Sequence, residues 1–122
     1  NPDQLIPVLE AFPETVFVGA HMCGYTIWDE AERALYGKYE NLWADCSSTL
    51  YAMPPERAVA LLRHFGTGRI MFGTDFPLWD PKTELARFLA LPLTGAEQRA
   101  ILFENAARFL QQPIRTEAGR PA

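Results

Sequence analysis

Two residues of this chain are of types that hold metals or move protons, and each stands just after a short apolar run. His21 follows "TVFVGA" and leads into Met22-Cys23-Gly24. Asp75 follows "RIMF" and Gly73-Thr74 and leads into Phe76-Pro77. An imidazole so placed can ligate a metal or shuttle a proton near neutral pH. A carboxylate can ligate a metal, act as a base or simply form a turn. A third apolar run, "NLWA", ends on Asp45-Cys46-Ser47-Ser48. The starts of the same runs carry only turn residues: Pro13-Glu14, Asn41 and Gly66-Thr67-Gly68. In parallel α/β folds the carboxyl ends of the strands form the active face. Three runs with polar exits therefore predict a site that gathers His21, Asp45 and Asp75 at one edge.

Each residue also has a plainer reading. His21 reads equally well as a histidine bonded to neighbouring backbone, and position alone leaves both readings open. Asp75 could cap a turn, but Phe76 and Trp79 behind it read as pocket walls shielding a working acid. Gly24 and Gly73 are expected to let the backbone turn beside His21 and Asp75, and Pro77 to stiffen the exit. Asp45 reads as a structural acid paired to local backbone. Cys23 and Cys46 read as small buried residues, because their spacing matches no zinc pattern. Ser47 and Ser48 lack a nucleophile-elbow context. His64, in the last turn of a helix, suits the helix dipole. Trp28 and Tyr36 read as helix packing or an entrance wall.

The elements that must position these groups alternate. Helices are expected over 2–12, 27–37, 54–65 and 82–90, and strands over 15–20, 42–45 and 69–72. Asn1 caps the first helix, whose inner face is Leu5, Ile6, Leu9 and Phe12. Ala58, Leu61, Leu62 and Phe65 line the third, and Leu85, Phe88 and Leu89 the fourth. Thr94 and Glu97 form a capping box for a last helical region that breaks near Asn105. Short apolar strands, each followed by a helix, predict a parallel sheet covered by helices. Three strands make a poor complete sheet but a reasonable last part of a (β/α)8 barrel of about 250 residues. The expected organisation is one partial barrel domain over 1–112 and a polar tail over 113–122.

Composition narrows the function classes. The chain is 48% hydrophobic and 21% charged with a net charge of −4 and scattered basic residues, which argues against nucleic acid. No apolar run approaches the roughly 20 residues that span a bilayer. Two cysteines are too few for a disulfide scaffold, so a reducing, cytoplasmic setting is the expectation. The first residue is Asn1, which raises the expectation of a chain cut from something longer.

Taken together, "VFVGAHMCGY", "NLWADCSS", "RIMFGTDFPLWDP" and "NAARFL" resemble the C-terminal part of the amidohydrolase-related metal-dependent hydrolases. That branch includes aminocarboxymuconate-semialdehyde decarboxylase and the resorcylate-type decarboxylases. The resemblance runs from about Asn1 to Leu110 and implies the sixth, seventh and eighth strands of a TIM barrel. It implies that Asp75 is a metal ligand or a base on metal-bound water, and that His21 assists catalysis or ligates the metal. It implies a divalent metal, zinc first and manganese second, and a small carboxylated or carbonyl-containing substrate that is hydrolysed or, alternatively, decarboxylated. A metal-independent lactonase of the same branch and a catalytically inert structural piece are the remaining readings. The family's His-x-His pair and a further histidine are absent, and His21 with Asp75 fall short of the roughly three protein ligands a catalytic zinc takes. The expectation is that a missing N-terminal barrel half or a second copy of the chain completes the site, and that the isolated chain is inactive.

Overall fold

The computed structural model describes residues 1–111; the expected polar tail over 113–122 lies outside them. A short 3-10 turn, Pro2–Gln4, precedes α1 (Ile6–Ala11), and Asn1 caps it by accepting the N–H of Asp3 at 3.0 Å. Then follow β1 (Phe17–Gly19), α2 (Trp28–Leu35), β2 (Leu42–Asp45), α3 (Pro55–Phe65), β3 (Ile70–Met71) and α4 (Pro81–Leu89). The described residues end with α5 (Gly95–Arg99), a π turn over Ala100–Glu104, and α6 (Asn105–Phe109). The three strands form one parallel sheet in the order β1-β2-β3. Phe17, Val18 and Gly19 pair with Leu42, Trp43 and Ala44, and Ala44 and Asp45 pair with Ile70 and Met71.

The two faces of the sheet differ. Leu42, Ala44 and Ile70 are fully buried in one cluster with Leu35 of α2 and with Ala58, Leu61, Leu62 and Phe65 of α3. The α3 face is the one its apolar spacing predicts, framed by Pro54-Pro55 before it and Gly66, at φ 110°, after it. On the other face Val16 and Val18 are half exposed, at 50% and 43%. Trp43 on that face has partial cover, its ring 5.2 Å from that of Phe109. A parallel sheet ordinarily buries both faces; this one buries one.

Several boundaries differ from expectation. The first and third strands are shorter than 15–20 and 69–72, because only 17–19 and 70–71 find strand partners. In α1 only Leu9 is fully buried, and Phe12 is exposed. In α4 the inward pair is Glu84 and Phe88, while Leu85 and Leu89 face out. Glu84 is carried inward beside Arg87, whose Nε lies 3.3 Å from Glu84 Oε1. Thr94 and Glu97 do form the capping box. The last helical region does change at Asn105, where α6 starts after the π turn, but the backbone stays helical across the junction. The wider turn leaves the carbonyl of Ile101 to accept the N–H of Phe72 at 2.8 Å. Asn105 donates to the carbonyls of Thr67 and Ile70, both at 2.7 Å. Its side chain thus ties α6 to the start of β3.

Candidate active site

The exits of the three strands lie at one edge and are wired together. After β1 the chain makes a left-handed turn in which His21, Met22 and Cys23 take φ values of 55°, 53° and 64°. Side chains seldom adopt that region, so the turn must be held by its surroundings. Asp45 Oδ1 accepts the N–H of His21 at 3.2 Å. Trp28 Nε1 donates to the carbonyl of His21 at 3.0 Å, and the Tyr36 hydroxyl donates to that of Met22 at 2.5 Å. Trp28 and Tyr36 are therefore the clamps of the turn that carries His21. Gly19 permits it from below: a Cβ there would lie 2.2 Å from Cys23 Sγ.

The turn is not made where the glycines suggested. Gly24 is extended, at φ −169°, and no left-handed φ falls at Gly73. Asp75 itself takes the left-handed conformation, at φ 57°, as does Ser48 at 47°. Aspartate tolerates that region better than most side chains because it is short and bonds locally. The peptide between Phe76 and Pro77 is cis.

Side-chain bonds link the exits. Asp45 Oδ1 also accepts the N–H of Ser47 at 3.0 Å and the Ser47 hydroxyl. Ser47 Oγ lies 2.9 Å from His21 Nδ1, so Nε2 is the ring nitrogen left for a metal or a proton. Ser48 Oγ donates to Asp75 Oδ2 at 2.7 Å and accepts from Trp79 Nε1 at 2.8 Å. The adjacent residues Ser47 and Ser48 thus bridge the histidine and the acid. Asp45 is the structural acid of the group, its Oδ1 taken by three donors. The two serines carried no motif, and only the exits of neighbouring strands hinted at their place.

One expectation fails here. Asp75 is exposed, and Phe76 does not shield it, being 72% exposed itself. Trp79 does stand beside the acid, through Ser48. Burial pushes the thiols of Cys23 and Cys46 up to about 12, with the charge of Asp45 adding to the effect in each. Both are free and stay protonated at neutral pH, as packing residues do. His64 bonds Glu32 at 2.8 Å, away from this edge.

Among the described residues no group of three or more His, Cys, Asp and Glu could hold a metal ion. His21 and Asp75 suit a divalent metal as donor types but are too few to hold one alone. A cleft of about 380 Å³ lies at the end of β1, between Pro2 and Leu5 on one side and Gly19, Ala20 and Tyr25 on the other. Neither His21 nor Asp75 lines it. No helix among the described residues is long and apolar enough to cross a membrane.

Residues 1–112 match the family model described as Amidohydrolase. No curated protein matches the chain. Among solved structures, an uncharacterised TIM-barrel protein from Bordetella bronchiseptica is 28% identical with a TM-score of 0.78, over 92% of this chain and 40% of that one. A dihydroxybenzoic acid decarboxylase from Polaromonas sp. JS666, with bound manganese and the inhibitor 2-nitroresorcinol, is 19% identical with a TM-score of 0.63, over 85% and 36%. A Burkholderia multivorans amidohydrolase with bound zinc is 21% identical with a TM-score of 0.64, over 91% and 50%. The chain spans half or less of the length of each of these three proteins.

Proposed function

Because the chain belongs to the amidohydrolase family, we propose that it is the last three βα units of a (β/α)8 barrel enzyme. The enzyme acts with a divalent metal on a small carboxylated or carbonyl-containing molecule. The observation that carries this reading is the Ser47–Ser48 bridge, which joins His21 and Asp75 on the carboxyl edge of a parallel sheet. The one-sided burial of the sheet supports the barrel: the open face of Val16 and Val18 is the face a closed barrel would cover.

Zinc or manganese would be held by Asp75 and by His21 through Nε2, together with ligands from upstream strands. Such a metal lowers the pKa of bound water and polarises an oxygen. The chain's own groups do the rest. Asp75 Oδ1 can take or return a proton, while Oδ2 is held by Ser48. Ser47, whose hydroxyl donates to Asp45, accepts from His21 Nδ1 and fixes the ring so that the Nε2 lone pair is free to hold the metal. The strained turn, clamped by Trp28 and Tyr36, keeps that nitrogen at the edge.

Neighbours described as decarboxylases favour carbon–carbon cleavage with loss of carbon dioxide. Hydrolysis is the second reading, favoured by neighbours described as amidohydrolases, one of them with zinc. Full-length protein should be assayed for metal by elemental analysis, and for carbon dioxide release from hydroxybenzoates against hydrolysis of lactones and amides. Metal-dependent carbon dioxide release supports the first reading, and metal-dependent ester or amide cleavage the second. Protein inactive with every substrate and free of metal contradicts both.

A further inference from the structure

We propose that the hydrogen-bonded hydroxyls of Tyr25 and Tyr51 form the subsite that receives an acid oxygen of a planar aromatic substrate. This rests on reading the strand-exit edge as an active face. Tyr25 follows the left-handed turn after β1, and Tyr51 lies in the short turn Leu50–Ala52 after β2. Their hydroxyl oxygens are 3.0 Å apart.

The pair closes a circuit of side chains around the exits. Tyr25 meets the ring of His21 edge-on, with centroids 5.6 Å apart. Tyr51 lies against Trp79 at 4.6 Å and an interplanar angle of 35°. Trp79 bonds Ser48, Ser48 bonds Asp75, and Ser47, next in the chain, bonds His21. The tyrosines therefore sit beside the two candidate reacting groups, Tyr25 against the His21 ring and Tyr51 joined to Asp75 through Trp79 and Ser48.

Two phenols bonded to each other hold two O–H protons and use one between them. The other remains to donate outward, and the donor it comes from is polarised by the bond it accepts. The bond to Tyr25 also holds the Tyr51 hydroxyl above the ordinary tyrosine range, so it keeps its proton at neutral pH. Packing does not account for the pair. Tyr25 is 48% exposed, and an exposed hydrogen bond adds little to folding. The circuit holds no lysine or arginine, so an acid oxygen reaching this rim meets neutral donors. A planar ring at this rim would add to the aromatic contact that Tyr51 already makes with Trp79.

The test is calorimetry on the full-length protein with benzoate, cyclohexanecarboxylate and benzamide as probes, alongside turnover of any hydroxybenzoate it accepts. Benzoate should bind more tightly than either other probe. Tyr25→Phe and Tyr51→Phe, which keep the rings, should each weaken benzoate about three- to tenfold. They should raise KM with kcat nearly unchanged and leave the thermal midpoint in place. If benzoate binding depends on the tyrosines but no aromatic acid is turned over, the subsite stands and the proposed reaction falls. If an aromatic acid is turned over with KM unchanged in both variants, the reaction stands and the subsite falls. Failure of the native protein to bind benzoate also overturns the subsite.

Discussion

Ser48 donates to Asp75 Oδ2 at 2.7 Å, so the acid that ends one strand is held by a residue that follows another. The same hydroxyl accepts from Trp79. Ser48→Ala removes both bonds and leaves a tryptophan N–H without its acceptor, at a backbone position already in the left-handed region. The expected cost is about 1–2 kcal/mol of folding stability, read from the urea midpoint. A larger loss of turnover should accompany it, because Asp75 is freed. A variant as stable and as active as the native protein would show that the bridge does nothing.

Gly19 and Cys23 should behave as a coupled pair. Gly19→Ala drives a methyl into Cys23 Sγ and should cost roughly 1–3 kcal/mol, as overpacking does. Adding Cys23→Ala removes the sulfur, so the double variant should recover part of that loss, while a contact of 3.1 Å to Cys23 Cβ remains. Thermal melts of the two singles and the double give the coupling. Additive losses would mean that the turn moves aside on its own.

At the other end of the chain, the hydrogen bond from Arg63 holds the Glu97 carboxyl at about 2, below its usual 4.5, and the N–H of Thr94 assists. A depressed acid stabilises the fold above the unfolded value and loses that contribution as pH falls through the folded one. Glu97 should therefore contribute fully above about pH 4.5 and lose its share between there and about pH 2. The share is small, since Arg63 is half exposed. In a carboxyl titration by NMR, Arg63→Ala should bring Glu97 back up towards 4.5. A titration midpoint that did not move would assign the shift to the helix cap alone.

The open face of β1 predicts how the 122-residue chain behaves by itself. Val16 and Val18 on an edge strand invite pairing with another edge. The chain alone should self-associate in light scattering, and Val18→Lys should make it more nearly monomeric. A native chain that is already a sharp monomer would contradict the partial-barrel reading.

What could be read from the sequence followed from how local each signal is. The four-residue strand Leu42–Asp45, the buried face of α3 and the Thr94–Glu97 box are set by short-range patterning, and each is found where its pattern places it. The gathering of His21, Asp45 and Asp75 was legible because polar exits on successive parallel strands must share an edge. The bridge of Ser47 and Ser48 was not, since it depends on contacts 26 and 27 residues apart. The turn conformations depart from the glycine positions for a physical reason. Glycine is the usual left-handed residue, but here tertiary bonds from Asp45, Trp28 and Tyr36 hold His21, Met22 and Cys23 in that region instead. The inward turn of Glu84 was hidden because its partner, Arg87, lies on its own helix.

Asp75 is the residue on which the proposed chemistry depends. In the full-length protein, Asp75→Asn keeps the size, the local bonding and the tolerance of a left-handed backbone while removing the charge. Turnover and metal content should be measured together with the thermal midpoint. Turnover should fall by at least about a hundredfold, the most that partners outside the first ring of ligands cost when lost. Metal content should fall with it while the midpoint barely moves. Near-normal turnover and metal with a lowered midpoint would make Asp75 a turn former and contradict the account.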